Sequence, residues 1–202
     1  MSLLKRNIVY FKQPGFLNTG SVIEAIIERL KVGDIRIILV PFTTGKTAGI
    51  FLKKLENRAE IITVSEEEAT VSCRRIASSD QGLLGKLIRK RLEAVSEDAS
   101  KVLHREAFDL TFLPFCGESW NVVKEVLYAF GQGMKVAIEL SIAAVEIKKI
   151  EPYVRVISVG GTGEGVDTAI VVKTASQNEA FGKNPDSRLS IEEIIAMPIA
   201  KW

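Results

Sequence analysis

Strand-like and helix-like patterns alternate along this 202-residue chain. Five short runs rich in β-branched residues are typical of buried strands, and amphipathic segments of helical period lie between the first four of them. These runs are residues 35–40, 60–64, 108–113, 154–159 and 168–172. A shorter strand is predicted at residues 7–11, and helices are predicted at 21–31, 47–57, 83–101, 122–130 and 134–149. The alternation predicts a three-layer α/β/α sandwich with a mostly parallel sheet.

The last two strand runs constrain the sheet further. Only residues 160–167 separate them, and so short a connection allows an antiparallel pair but no parallel crossover. We therefore expect a mixed five-stranded sheet in which the last strand is antiparallel.

Composition limits the classes of function. The length and the absence of a linker-like segment favour a single domain over residues 1–202. A net charge of +2 gives no argument for nucleic acid or membrane partners. Two cysteines are too few for a disulfide framework, which favours a reducing cytoplasm. With two separated cysteines and a single histidine, a structural zinc site is not expected. We expect no bound metal, and the sequence leaves homo-oligomer formation open.

The loop between the last two strands contains four glycines within six residues, together with Thr162 and Asp167. Glycines at the carboxyl end of a strand let backbone N–H groups approach an anion without obstruction by a Cβ atom. A surface hairpin loop would have the same composition, so this stretch alone leaves both readings open. It is not a dinucleotide fingerprint, because Val166 breaks the spacing and a strand follows where that motif requires a helix.

A second loop of interest joins the strand at residues 35–40 to the next helix. Thr43 and Thr44 offer hydroxyl groups, Gly45 permits a tight bend, and Lys46 adds a positive charge beside a helix N-terminus. Either threonine could instead simply cap the helix. The ending Gly-Lys-Thr resembles a P-loop, but Val40 stands where the first glycine of that motif belongs. Pro41 also removes an amide donor, so a nucleoside triphosphatase is disfavoured.

A catalytic cysteine has little support in the sequence. Cys116 lies beside Gly117 and Glu118, but no base stands at a suitable spacing. The single histidine, His104, reads as a surface residue. We therefore expect that Cys116 and His104 are not a catalytic pair.

Several motifs resemble those of one protein family in content and order. Their residues are 10–15, 18–19, 44–48, 131–136, 139, 160–169 and 193–198. The most specific of them, at 160–169, reads Gly-Gly-Thr-Gly-Glu-Gly-Val-Asp-Thr-Ala. Together they resemble uncharacterised, mainly archaeal proteins whose fold is similar to the C-terminal domain of pyruvate kinase. The resemblance covers residues 7–64 and 121–198.

The resemblance implies a mixed five-stranded sheet with a ligand site at its edge. In pyruvate kinases the loop that matches residues 43–47 holds a phosphate of a sugar-bisphosphate effector. Members of the archaeal family are associated with bound flavin mononucleotide (FMN). By this resemblance, the residues expected to contact a ligand are Thr44, Gly45, Thr47, Gly161, Thr162 and Gly163. Their loop neighbours Thr43, Lys46, Gly160 and Asp167 complete the candidate cofactor-binding set.

The chain departs from the family pattern over residues 66–120, the divergent segment. Relatives usually carry two histidines where residues 65–68 read Ser-Glu-Glu-Glu, and a longer loop with His, Ser and Gly in place of 114–120. If those segments shape the ring pocket, the chain keeps a phosphate cradle with a lost or altered flavin site.

Two classes of function follow. The first is binding of a phosphorylated small ligand, FMN above all, with a flavin-dependent oxidoreductase as one form of it. The second is a non-catalytic regulatory or sensor module that binds a sugar phosphate or nucleotide effector. The sequence leaves open whether the protein is an enzyme.

Overall fold

The computed structural model describes residues 3–43, 45–55, 58–65 and 118–201. These ranges contain a 3-10 helix, Phe16–Asn18, four α-helices and six strands. The helices are α1 (Thr19–Leu30), α2 (Lys46–Lys54), α3 (Glu118–Tyr128) and α4 (Gln132–Glu146). The strands are β1 (Val9–Phe11), β2 (Ile37–Phe42), β3 (Glu60–Ser65), β4 (Arg155–Gly160), β5 (Thr168–Lys173) and β6 (Ser190–Pro198). The strand predicted at 108–113, the helix predicted at 83–101, His104 and Cys116 lie outside the described residues.

The strands form one mixed sheet in the order β1-β6-β5-β4-β2-β3. β2 pairs in parallel with both β3 and β4, and β1 pairs in parallel with β6. β5 is antiparallel to both of its neighbours, β4 and β6. Five strands therefore run in one direction and β5 alone runs against them in the described part of the sheet. Because β2 and β4 are parallel neighbours, their carboxyl ends lie side by side at one edge of the sheet.

The sheet corrects the expected strand number and the place of the antiparallel strand. Residues 168–172 are antiparallel to 154–159, as predicted, but the described part of the sheet has six strands and the last one, β6, runs with the majority. β6 was missed because its sequence lacks a clean two-residue period: Glu192 and Glu193 interrupt it, and its pairing with β5 shifts register twice. The three-residue strand β1 then adds to the outer side of β6.

The helices cover both faces of this sheet. Val156, Ile170 and Val172 belong to one buried cluster with α4, whereas Ile157, Val159 and Val171 belong to a second cluster with α1 and α2. This division follows from the alternation of side chains along a strand, which sends neighbouring residues to opposite faces. Strands buried on both faces are expected to have continuous apolar sequences, and residues 154–159 and 168–172 have this pattern.

Helix α4 is the most buried helix of the described chain, with every residue from Gln132 to Val145 buried. The two charged residues of this buried stretch, Lys135 and Glu139, form an ion pair at 3.6 Å between Nζ and Oε2. Glu139 therefore has the charged partner that a buried carboxylate needs. The helix begins at Gln132, two residues before the predicted start, because Gly131 with a φ of 101° occupies the N-cap.

Among the described helices, none combines the length and the apolar composition that crossing a bilayer would require.

Candidate functional site

A cleft of about 380 Å³ opens at the edge where β2 and β4 end. Four segments line it: the start of α1, the β2–α2 loop, the start of α4 and the β4–β5 loop. The lining residues are Phe16, Thr19, Pro41, Thr43, Gly45, Lys46, Thr47, Ile50, Gln132, Val136, Gly161, Gly163, Glu164 and Gly165. The volume falls within the range of small-molecule sites, and the carboxyl edge of parallel strands is where α/β proteins bind ligands.

Two helices begin at this cleft behind glycine caps. Gly45 caps α2 with a φ of 77°, and Gly131 caps α4 with a φ of 101°. The first N–H groups of any α-helix have no acceptor within the helix, and a glycine cap has no side chain to offer them. The first intrahelical bond of α2 is from the Gly49 N–H to the Gly45 carbonyl. The amides ahead of it, with the favourable helix dipole, are suited to receive an anion.

The cleft walls divide into a polar and an apolar part. Thr43, Lys46 and Thr47 bring hydroxyl groups and a positive charge to the start of α2. Phe16 and Ile50, which are 60% and 44% exposed, bring large apolar side chains to the same cleft. A ligand that joins an anionic group to an apolar or ring group would match both parts.

The β4–β5 loop is shaped by one buried carboxylate. Asp167 is fully buried, and its Oδ2 accepts hydrogen bonds from the Gly15 N–H at 2.9 Å and the Thr162 N–H at 3.2 Å. Its Oδ1 accepts a bond from the Thr168 hydroxyl at 2.9 Å. Both carboxylate oxygens of Asp167 therefore accept hydrogen bonds from the protein itself.

Six of the ten candidate residues line the cleft, namely Thr43, Gly45, Lys46, Thr47, Gly161 and Gly163. Three others do not line the cleft that the described residues form: Gly160 ends β4, and Thr162 and Asp167 belong to the β4–β5 loop. Thr44 is outside the described residues. The structure therefore brings the two predicted loops together, although they are more than a hundred residues apart in the chain.

Gly160 and Gly161 allow close packing within the protein itself. A Cβ on Gly161 would stand 2.2 Å from the carbonyl oxygen of Gly165, and one on Gly160 would stand 2.1 Å from that of Gly133. At Gly163, with a φ of 75°, no described atom lies within 4 Å of such a Cβ. Gly163 is therefore the glycine of this loop that leaves space on the cleft side.

Sequence reasoning missed several lining residues, chiefly Phe16, Ile50, Gln132 and Val136. Gln132 and Val136 are one helical turn apart, as are Thr47 and Ile50, so each pair shares a helix face. That spacing could have extended the site from Thr47 to Ile50. No comparable signal marks Phe16, which reaches the cleft through the tertiary fold.

No group of three or more histidine, cysteine, aspartate or glutamate side chains that could hold a metal ion occurs in the described ranges. The titratable lining residues of those ranges are Lys46 and Glu164, and both are exposed. No model of a known protein family matches the chain.

Proposed function

We propose that this protein binds a phosphorylated small ligand in the cleft, with the phosphate at the start of α2. The observation that supports this most directly is the convergence of two glycine-capped helix N-termini and the glycine-rich β4–β5 loop on one cleft. Backbone amides, the hydroxyls of Thr43 and Thr47, and Lys46 would together complement a phosphate dianion.

FMN is the ligand that we propose first. Its phosphate would lie at the polar wall, and its ring would lie against apolar side chains such as Phe16 and Ile50. A bound flavin would supply reversible hydride or electron transfer, so a flavin-dependent oxidoreductase is the corresponding enzyme class. This chain's residues would bind and orient the flavin.

The same proposal extends to the family and the cellular setting. We propose that the α/β fold is pyruvate kinase C-terminal-domain-like, that the chain is a member of the archaeal family it resembles, and that it works in the cytoplasm. The edge site between β2 and β4 is where the resemblance leads one to expect a phosphate.

The alternative is a regulatory or sensor module that binds a sugar phosphate or nucleotide effector. One observation favours it: the titratable side chains among the described lining residues, Lys46 and Glu164, are both exposed. Acid–base residues of enzymes are commonly desolvated to shift their pKa. An absorption spectrum of the purified protein, with mass spectrometry of whatever co-purifies, separates the two: a flavin band supports the first, and a colourless protein carrying a sugar phosphate or nucleotide supports the second.

The decisive variant is Thr47→Val, which removes one hydroxyl from the polar wall with little change in shape. A hydrogen bond to a charged group contributes about 1.5–3 kcal/mol, so FMN should bind roughly tenfold to a hundredfold more weakly. Riboflavin, which lacks the phosphate, should bind to the variant as it does to the wild type. Calorimetric titration measures both affinities.

Thr63→Val on β3 is the matched control, because Thr63 is partly buried and does not line the cleft. It should leave both affinities unchanged. Wild-type FMN affinity in Thr47→Val would show that the phosphate binds elsewhere. Gly161→Val is not a clean test, since its side chain would collide with Gly165 even without ligand.

A further inference from the structure

We infer that Asp167 is a positioning residue for the cleft: it holds two lining segments together and does not itself contact the ligand. The inference rests on the proposed function for its ligand, but its hydrogen bonds can be tested without one. The sequence places Asp167 in the candidate cofactor-binding set. In the structure its side chain is buried and accepts hydrogen bonds from the protein itself, which indicates a supporting role.

One oxygen of Asp167 joins segments that are distant in the sequence. Oδ2 accepts the N–H of Gly15, which precedes the lining residue Phe16. It also accepts the N–H of Thr162, which stands between the lining residues Gly161 and Gly163. A single carboxylate oxygen therefore fixes the distance between two lining segments, the turn that contains Phe16 and the glycine-rich β4–β5 loop.

A second set of contacts supports the same junction. The hydroxyl of Thr19 donates to the Phe16 carbonyl at 2.7 Å and accepts the Val166 N–H at 3.1 Å. A Cβ on Gly165 would stand 2.8 Å from the Cα of Phe16, so the β4–β5 loop lies directly against the turn before α1. Within this junction, Asp167 provides the only acceptor shown by the described contacts for both the Gly15 and Thr162 amides.

Because Asp167 holds both of these segments, its substitution should affect ligand affinity differently from the substitution of Thr47. Thr47→Val removes a phosphate contact and should spare riboflavin. Asp167→Ala leaves two backbone donors without their acceptor and releases both segments. It should therefore weaken the binding of FMN and of riboflavin alike. A loss confined to the phosphorylated ligand would place Asp167 with the phosphate contacts instead.

The conservative variant Asp167→Asn supplies the rescue. Its amide oxygen can accept the Gly15 and Thr162 N–H groups while its NH₂ group donates to the Thr168 hydroxyl, which can turn to accept. It should bind FMN and riboflavin no more than about threefold more weakly than the wild type, whereas Asp167→Ala should lose about tenfold or more for each. Asp186→Asn, an exposed site away from the cleft, is the matched charge control and should change neither.

The experiment is calorimetric titration of wild type, Asp167→Ala, Asp167→Asn and Asp186→Asn with FMN and with riboflavin. Amide hydrogen exchange at Gly15 and Thr162 is measured on the same proteins without ligand. We expect both amides to exchange at least tenfold faster in Asp167→Ala and to stay protected in Asp167→Asn. The Asn variant keeps the test informative if the Ala variant does not fold.

Besides a loss confined to FMN, two results with Asp167→Ala would overturn the inference: unchanged protection of both amides, or wild-type affinity for both ligands. If Asp167→Ala does not fold, Asp167→Asn decides, since loss of protection at both amides in that variant would also overturn it. If the wild type binds neither FMN nor riboflavin, the proposal of FMN as the ligand fails, and the exchange rates alone decide whether Asp167 holds the two segments together.

Discussion

At the scale of single residues, two glycines bring the start of α4 against the end of β4 and the start of β5. A Cβ on Gly160 would lie 2.1 Å from the Gly133 carbonyl oxygen and 2.8 Å from the Ala137 nitrogen. A Cβ on Gly133 would lie 2.3 Å from Oδ1 of Asp167. Nearby, the Ser158 hydroxyl donates to the Ala137 carbonyl at 2.6 Å. This close approach is what brings Gln132 to the cleft.

Gly160→Ala should therefore be strongly destabilising. The added methyl group meets backbone atoms of α4, which cannot turn aside as a flexible side chain can, so helix and strand must separate. We expect a loss of about 2–4 kcal/mol in the free energy of unfolding, since overpacking a tight core contact costs about 1–3 kcal/mol or more. Urea denaturation followed by circular dichroism measures it.

Gly49→Ala is the control for this prediction. Gly49 is exposed within α2, and no described atom lies within 4 Å of the position its Cβ would take. The substitution should raise stability by about 0.5–1 kcal/mol, because alanine favours the helix and restricts the unfolded chain. Equal destabilisation by the two variants would contradict the assigned contact.

At the scale of elements, a buried arginine ties together the edge of the sheet opposite the cleft. Arg29 of α1 donates from Nε to Glu193 of β6 at 2.6 Å and from Nη1 to Asp34, just before β2, at 2.6 Å. Arg155 of β4 extends the network by pairing with Asp34 at 3.0 Å. Hydrogen bonds from Arg29 lower the pKa of the Asp34 and Glu193 carboxyl groups, and they raise the pKa of Arg29 itself.

This network predicts a loss of stability in acid. A carboxyl group whose pKa is lowered by folding stabilises the protein above its unfolded-state pKa, and that contribution is lost as the pH falls toward the folded pKa. Unfolded-state values are about 4 for Asp and Glu, so wild-type stability should fall steadily below about pH 5. Arg29→Met should reduce stability at pH 7 by about 2–4 kcal/mol and flatten this fall. Urea denaturation at pH 3 to 7 tests both.

Lys31→Met is the control at this scale, since Lys31 pairs with Glu28 on the exposed surface of α1. It should change neither the stability at pH 7 nor its slope with pH. If Arg29→Met retains the full wild-type dependence on pH, other carboxyl groups cause the acid loss.

At the scale of the whole molecule, the candidate cleft and the Arg29 network lie at opposite edges of one sheet. The cleft lies at the carboxyl ends of β2 and β4, and the Arg29 network lies at their amino ends. Between the edges, β4 and β5 are buried over nearly their whole length, whereas β1 has three residues at the margin of the described sheet. Stability should therefore be graded across the sheet.

Amide hydrogen exchange should show this gradient. We expect the amides of β4 and β5 to exchange only through global unfolding, because their hydrogen bonds lie between neighbouring strands and buried side chains. The amides of β1 should exchange at least tenfold faster, through local opening at the margin. Mass spectrometry of peptides from the exchanged protein measures both sets. Equal protection of β1 and β4 would contradict the gradient.

Local patterns were sufficient for much of this architecture. The strands at 35–40, 154–159 and 168–172 are recognisable because burial on both faces favours continuous β-branched runs. The strand at 60–64 has the same composition, although among its residues only Val64 is fully buried. The antiparallel pairing of β4 and β5 follows from the length of their connection alone. Glycines in the two loops also led to residues that line the cleft, since a strand that ends at the cleft must be followed by a turn there.

Only the tertiary structure decided what depends on contacts between distant segments. β6 joins the sheet through neighbours that compensate for its broken period, and β1 pairs with it across most of the chain. Phe16 reaches the cleft because its turn is bonded to Asp167, 151 positions later in the sequence. A sequence shows that Asp167 is polar within a glycine-rich loop, but which donors surround its carboxylate is set by packing. Hydrogen-bond partners that are remote along the chain leave no periodic signal in it.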